Sequence, residues 1–393
     1  MFKTLSPEWL DDLAVRRKNL QAALSAQRAD GILVTNPVNL LYLTGRIYCG
    51  WLYLPVEGSP RYFVRRPNDM EGEGVFLVRK PEQIPEMLQA EGISLPKTVL
   101  LENQELTYWD WMRLSVLFPG AEVEDGSSLL RQARAVKSAG ELSLMRRTGS
   151  RQASLIDQFA SVYEPGMTDQ AWMIEIFRLM MQAGSLGHLR VSGSTMETFI
   201  GCILAGPNGA APSPYDYALG GCGLSPALPV GQAGIRMEPG MSVMVDVPGN
   251  FYGSLTDCSR TFSIGPLPER AYAAHQVSIA IERAIAEAGK PGTPCVALYE
   301  MALEMAAQAG LADCFMGTRQ QAQFVGHGTG LVINEWPVLG ARSRHRLEAG
   351  MCVAVEPKFV IEGVGPVGVE DTFVVTPDGM RNITPCDPAI RKL

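Results

Sequence analysis

A chain of 393 residues is long for a single hydrophobic core, and a span of roughly 100–200 residues per domain predicts two. Hydrophobic residues make up 46% and charged residues 19%, a mixture that excludes a disordered chain. With 34 Lys and Arg against 41 Asp and Glu the formal charge is −7, and no basic run supplies an electrostatic footprint for DNA or RNA.

The opening stretch MFKTLSPEWLDDLAVRRKNL mixes charges with apolar residues and lacks the apolar core of a secretory leader. No window reaches transmembrane length, and the eight cysteines form no Cys-x-x-Cys pair. These readings predict a cytoplasmic protein with reduced thiols and no membrane partner. From Glu8 to Arg28, Leu10, Leu13, Leu20 and Leu24 recur at helical spacing. Short β-type runs follow at Ile32–Thr35, Tyr62–Val64, Val75–Val78 and Val99–Leu101, alternating with helical or loop segments as in an α/β domain. A polar stretch at Arg131–Ala135 sets the boundary, which gives domains of 1–135 and 136–393. A long helical pattern then runs from Ser138 to about Phe159, and others recur at Asp169–Gln182, Pro268–Ala288 and Val296–Ala309.

The second half contains an internal repeat. Glu238-Pro-Gly-Met-Ser-Val-Met-Val-Asp246 overlays Glu348-Ala-Gly-Met-Cys-Val-Ala-Val-Glu356 at a constant offset, with six of nine positions agreeing when the two terminal acids are counted as alike. Downstream of each copy lies a second acid before Thr-Phe: Asp257 before Thr261-Phe262, and Glu370 before Thr372-Phe373. Alternation along a strand points Asp246 and Glu356 away from Val245 and Val355. A lone ionised acid ending so apolar a strand is costly to bury; four in a duplicated frame fit a metal site better than four solvated strand ends. Gly326-His327-Gly328-Thr329-Gly330 adds a nitrogen ligand whose glycine neighbours let other groups approach the ring. Four carboxylates and one imidazole suit two divalent ions such as Mn, Co, Fe or Zn, and not a structural zinc. Two such ions roughly 3.5–4 Å apart activate a bridging water for hydrolysis.

In the contexts Val-Asp246-Val-Pro-Gly, Thr-Asp257-Cys-Ser-Arg, Gly-His327-Gly-Thr-Gly, Val-Glu356-Pro and Val-Glu370-Asp-Thr, these five residues resemble the metallopeptidases of the pita-bread fold. That family includes methionine aminopeptidase, Xaa-Pro aminopeptidase, prolidase and the metal-free creatinase. Thr35-Asn-Pro-Val-Asn-Leu-Leu-Tyr-Leu-Thr-Gly45 resembles the creatinase-type N-terminal domain, and Arg134-Ala-Val-Lys-Ser-Ala-Gly-Glu141 its linker. The resemblance implies an α+β chain with a creatinase-like α/β N-terminal domain and a C-terminal pita-bread domain of duplicated α+β structure. It implies Asp257 and Glu370 as bridging ligands, Asp246, His327 and Glu356 as terminal ones, Glu356 as proton shuttle, and a homodimer.

The family's auxiliary histidines are missing. Ser213, in Gly206-Pro-Asn-Gly-Ala-Ala-Pro-Ser213-Pro-Tyr215, stands where one usually lies; Gln323, four residues before His327, replaces another; Asn334, in Asn334-Glu335-Trp336-Pro337, replaces the third. Each can hydrogen-bond a substrate, but none carries a proton as imidazole does. His188 is the one candidate stand-in, whereas His275 reads as a satisfied helical residue and His345 as part of a solvated loop. Tyr215, Tyr217 and Trp336 are candidate pocket walls, and Arg260 is read as balancing Asp257. The resemblance implies a hydrolase of the Xaa-Pro dipeptidase or aminopeptidase type acting on a small peptide or amide. The alternatives are a non-peptidase enzyme on the same scaffold, such as another C–N hydrolase or a lyase, and a metal-binding protein without turnover.

Overall fold

The structure, a computed structural model, describes residues 7–192 and 200–393. Its contacts divide the chain into two compact units, one running to Arg134 and including Ser138–Glu141, the other comprising Ala135–Lys137 and Leu142–Leu393.

The first unit is built on a six-stranded mixed sheet in the order Val75–Leu77, Arg61–Arg66, Cys49–Pro55, Gly31–Val34, Thr98–Leu101, Glu122–Asp125. Leu33, Tyr53, Phe63, Val99 and Leu101 bury one continuous face of it. The helical rhythm at the start is a helix over Pro7–Ala26, with Leu13, Leu20 and Leu24 buried. The Asn36-Pro37 pair starts a second helix, Pro37–Thr44: the Asn36 side chain accepts a bond from the Val38 N–H, proline occupies the first turn, and Gly45 ends it at φ 72°. The left-handed conformation at that end favours glycine.

The second unit carries the duplication into three dimensions. The repeated strands Ser242–Asp246 and Cys352–Val355 lie in separate sheets, and each pairs antiparallel with the strand that follows its second acid, Ser259–Ser263 in one case and Asp371–Thr376 in the other. The first sheet is four-stranded and the second five-stranded. Between them, Ser259 and Glu370 exchange backbone hydrogen bonds of 3.2 Å in both directions. The repeated threonines reinforce this seam. Thr372 Oγ1 bonds the backbone of Asp257, accepting at 2.7 Å and donating at 2.8 Å, and Thr261 Oγ1 does the same to Gly368 at 3.0 and 2.8 Å. Helices Asp169–Gln182, Glu269–Ala288 and Cys295–Gln308 follow the expected spans within a residue. The architecture is thus the expected α+β one, an α/β unit followed by a duplicated α+β unit. No helix among the described residues is long and apolar enough to cross a membrane.

Candidate active site

The acids converge at the seam. Asp246 ends its strand, Asp257 precedes Ser259–Ser263, Glu356 follows Cys352–Val355 and Glu370 precedes Asp371–Thr376, so each half delivers two carboxylates. His327 lies in the neighbouring strand Phe324–Gly328. A Cβ on Gly326 would fall 2.4 Å from the Ala354 carbonyl oxygen, and one on Gly328 would fall 2.1 Å from that of Trp336. Glycine on both sides therefore lets the adjacent strands close around the imidazole. Its Nε2 lies 3.4 Å from Glu356 Oε1 and 3.8 Å from Asp257 Oδ2.

Two overlapping groups of ligand atoms result: Asp257, His327 and Glu370, and Asp246, Glu356 and Glu370. Glu370 belongs to both. Asp257, Glu356 and Glu370 are buried, while Asp246 keeps part of its side chain in contact with solvent. Burial, and then the neighbouring Asp246 and Glu356 charges, lifts the Asp257 carboxyl well above the usual carboxylate range. Burial, followed by Asp257 and Glu356, does the same to Glu370.

The two groups differ in what already fills them. Glu370, shared by both groups, has its Oε1 buried without a hydrogen-bond partner, an acceptor that a cation would satisfy. In the first group, two carboxylates and an imidazole are a donor set that fits a divalent ion. In the second, Lys358 Nζ lies 2.8 Å from Asp246 Oδ2, 2.7 Å from Glu356 Oε2 and 3.0 Å from Glu370 Oε2. That place already contains a cation. The first group fits a divalent ion, and the second is occupied by an ammonium.

A cavity of about 200 Å³ opens onto this cluster, lined by Asp246, Asp257, His327 and Glu356 together with Asn334 and Trp336. A larger cavity of about 780 Å³ adjoins it, sharing Asp216, Tyr217, Ala218, Phe324 and Val338.

Residues 143–377, more than half of the chain, match the model of metallopeptidase family M24, and residues 16–136 match that of the creatinase/prolidase N-terminal domain. The chain belongs to metallopeptidase family M24. It is 24% identical to an Xaa-Pro dipeptidase of Lactobacillus helveticus over 388 residues, covering 95% of this chain and 97% of that one. Its fold is similar to that of an Xaa-Pro dipeptidase from Bacillus anthracis, with a TM-score of 0.80, 20% identity and coverage of 97% and 100% of the two chains. The prolidase from Pyrococcus horikoshii gives a TM-score of 0.77 at 20% identity, covering 96% and 99%. Membership makes the chain a metallopeptidase-like hydrolase of a metal-dependent family.

Within this M24 frame the expected substrate contacts fall in three places. Asn334 lines the smaller cavity, with its amide oxygen accepting from Ser192 N at 2.7 Å and its amide nitrogen donating to Ser192 O at 2.9 Å. Beside it, Glu335 pairs with Lys137 Nζ at 2.9 Å and accepts the Leu331 and Val332 N–H groups, which fixes the approach to Asn334 and Trp336. Ser213, Tyr215 and Gln323 line the larger cavity, and Ser213 Oγ is engaged with Pro229 O and Tyr215 N. His188 is exposed and lines neither cavity, its Nδ1 lying 3.2 Å from Leu186 O. His275 lies in a helix and is buried; its Nε2–H donates to Pro388 O at 2.7 Å, while its Nδ1 is buried without a hydrogen-bond partner, so the expected satisfied residue is satisfied at one nitrogen only. His345, expected in a solvated loop, instead packs on Trp336 with ring centroids 4.6 Å apart and lines the larger cavity.

Arg260 corrects another expectation. It pairs with Asp371, both oxygens at 2.9 Å, and not with Asp257. Alternation along the strand sends Ser259 toward Glu370 and Arg260 to the opposite face. Lys358 was missed by sequence reasoning, since a Lys in a strand normally reads as a solvated side chain. The available signal was its place before the apolar run Phe359-Val360-Ile361, two residues after a candidate ligand acid.

Proposed function

We propose that this chain hydrolyses a C–N bond in a small amide or peptide bound in the cavity beside Glu356. The observation that carries this reading is the placement of Glu356, which lines that cavity, approaches His327 with one carboxylate oxygen and is fixed through the other by Lys358. Oriented in this way, Glu356 takes a proton from an attacking water and delivers it to the departing nitrogen. Asp257, His327 and Glu370 would hold the metal, which when bound supplies Lewis-acid charge beside the reacting carbonyl. Trp336, Ile333 and Pro248 wall the cavity and limit its water. Among the residues at the three auxiliary positions, Asn334 lines this cavity with its amide engaged by the Ser192 backbone, and Ser213 Oγ is engaged by Pro229 O and Tyr215 N.

A second reading, cleavage specific for Xaa-Pro peptides, is supported by the Lactobacillus helveticus relative, whose description is an Xaa-Pro dipeptidase. The absence of imidazole at Ser213, Gln323 and Asn334 favours the broader reading. One panel separates them: Gly-Pro, X-Pro-X peptides and small amides, each assayed with Mn, Co, Fe and Zn. Cleavage of amides without a proline requirement is the expected result, and Glu356→Gln should lower it roughly 10²–10⁴-fold while leaving binding intact. Turnover confined to X-Pro bonds selects the second reading. A purified, metal-loaded chain that cleaves nothing in the panel overturns both and leaves a binding protein.

A further inference from the structure

We infer that the side chain of Lys358 is a resident cation that takes the place of one of the two metal ions this cage would otherwise accept. The inference rests on the reading of the five residues as a cation cage and is independent of the substrate.

An ammonium group has three N–H donors and no acceptor. Lys358 Nζ directs them to three carboxylates from three different segments, at 2.7, 2.8 and 3.0 Å. Asp246, Glu356 and Glu370 are together one of the two ligand groups of the cage. A divalent ion bound by them would sit about 2.0–2.2 Å from each oxygen, within the space the nitrogen occupies and against a like charge. The two cations are therefore alternatives.

The lysine is also held where it is. Its side chain is fully buried, and its strand Lys358–Ile361 pairs antiparallel with Gly365–Gly368. Its carbonyl accepts the Met316 N–H at 2.7 Å, so the backbone is tied on both edges. Swinging the ammonium out would leave a buried positive charge without a partner or require this strand to open. The exchange also alters the chemistry. An ammonium neutralises and orients carboxylates, but it has no vacant coordination position with which to polarise a substrate oxygen.

The Asp257, His327 and Glu370 group, with the orphaned Glu370 Oε1, remains the place for a single ion. Equilibrium dialysis of the full chain against Co²⁺, with metal counted by mass spectrometry, tests the exchange directly. The expected content is about one ion per chain in the wild type, rising to about two in Lys358→Ala and Lys358→Gly. Lys358→Arg, which keeps the charge, should not show the rise. Two ions in the wild type, or no gain on removing the amine, overturns the inference. Should the small-residue variants fail to fold, anomalous diffraction from Co²⁺-soaked wild-type crystals decides it. Absence of a peak between Asp246 and Glu356 supports the replacement, and a peak there overturns it. Because these measurements count ions without substrate, they leave the hydrolase reading to stand or fall on the amide panel.

Discussion

Glu370 and Asp371 are consecutive in the chain, both buried, and each faced by a buried cation, yet they belong to different kinds of environment. Asp371 meets Arg260, whose guanidinium donates to both carboxylate oxygens and to the backbone oxygens of Ser259, Glu370, Cys386 and Asp387. Thr384 adds a further bond to Asp371 at 2.7 Å. Arg260 uses its donors on Asp371 and these carbonyls, with the buried Glu282 carboxyl, raised by burial and then by the Asp371 charge, close to the pair. Glu370 shares the single charge of Lys358 with Asp246 and Glu356, and one of its oxygens has no partner. The first pair is closed and structural; the second is short of positive charge and open to a cavity. Successive strand residues point to opposite faces, so one residue step separates a site that fastens the fold from one prepared for chemistry. Several buried carboxylates sharing one cation beside a cavity are a better guide to function here than buried charge alone.

The sharpest way to break this comparison is to remove each side's fastening. Arg260→Met leaves Asp371 buried without its cation and should cost roughly 3–5 kcal/mol of stability, read from chemical denaturation. A loss below 1 kcal/mol would mean that this pair is no more structural than the cage. Ser259→Ala tests the other face, because the Ser259 hydroxyl donates to Glu370 Oε2. It should weaken binding of the single ion by roughly 10–100-fold in a Co²⁺ titration while leaving the denaturation midpoint nearly unchanged. A large drop in stability with unaltered affinity would reverse the assignment of the two faces.

The smallest effect concerns pH. His275 lies beside the Arg260 cluster, and burial, with a further contribution from the Arg260 charge, depresses its pKa below the ordinary 6.5. In that case the unfolded chain binds the proton more readily, so stability is full above about pH 7 and declines as pH falls below 6.5 toward the folded value. His275→Gln should flatten the decline in stability between about pH 7.5 and 5.5, read from denaturation at each pH. An unchanged profile in the variant would detach His275 from the structural cluster.

The helices of the second unit were legible because their apolar spacing is regular and long. In the first unit two strands left little signal. Cys49–Pro55 is apolar nearly throughout and buried between two partners, so it lacks the alternation of a half-buried strand. Glu122–Asp125 is an exposed edge strand of mostly acidic residues. The convergence of the four acids was readable because the motif that ends in Asp246 recurs in the one that ends in Glu356, each followed by a second acid before Thr-Phe. Lys358 and the true partner of Arg260 were not, because both depend on which face of a strand is buried. Local sequence cannot say that without the register between strands.

The double hydrogen bond between Ser259 and Glu370 also bears on how the protein comes to be folded. These residues are 111 positions apart, and the same seam assembles the four acids. Contacts of such sequence separation form late, after local helices and hairpins have paid their smaller loop-closure entropies. A nascent chain that has produced Ser242–Asp246 and Ser259–Ser263 must therefore wait for the strand after Glu370 before its first two carboxylates acquire their neighbours. Repulsion between the two pairs of acids is thus deferred until Lys358, which precedes Glu370 in the chain, has been synthesised.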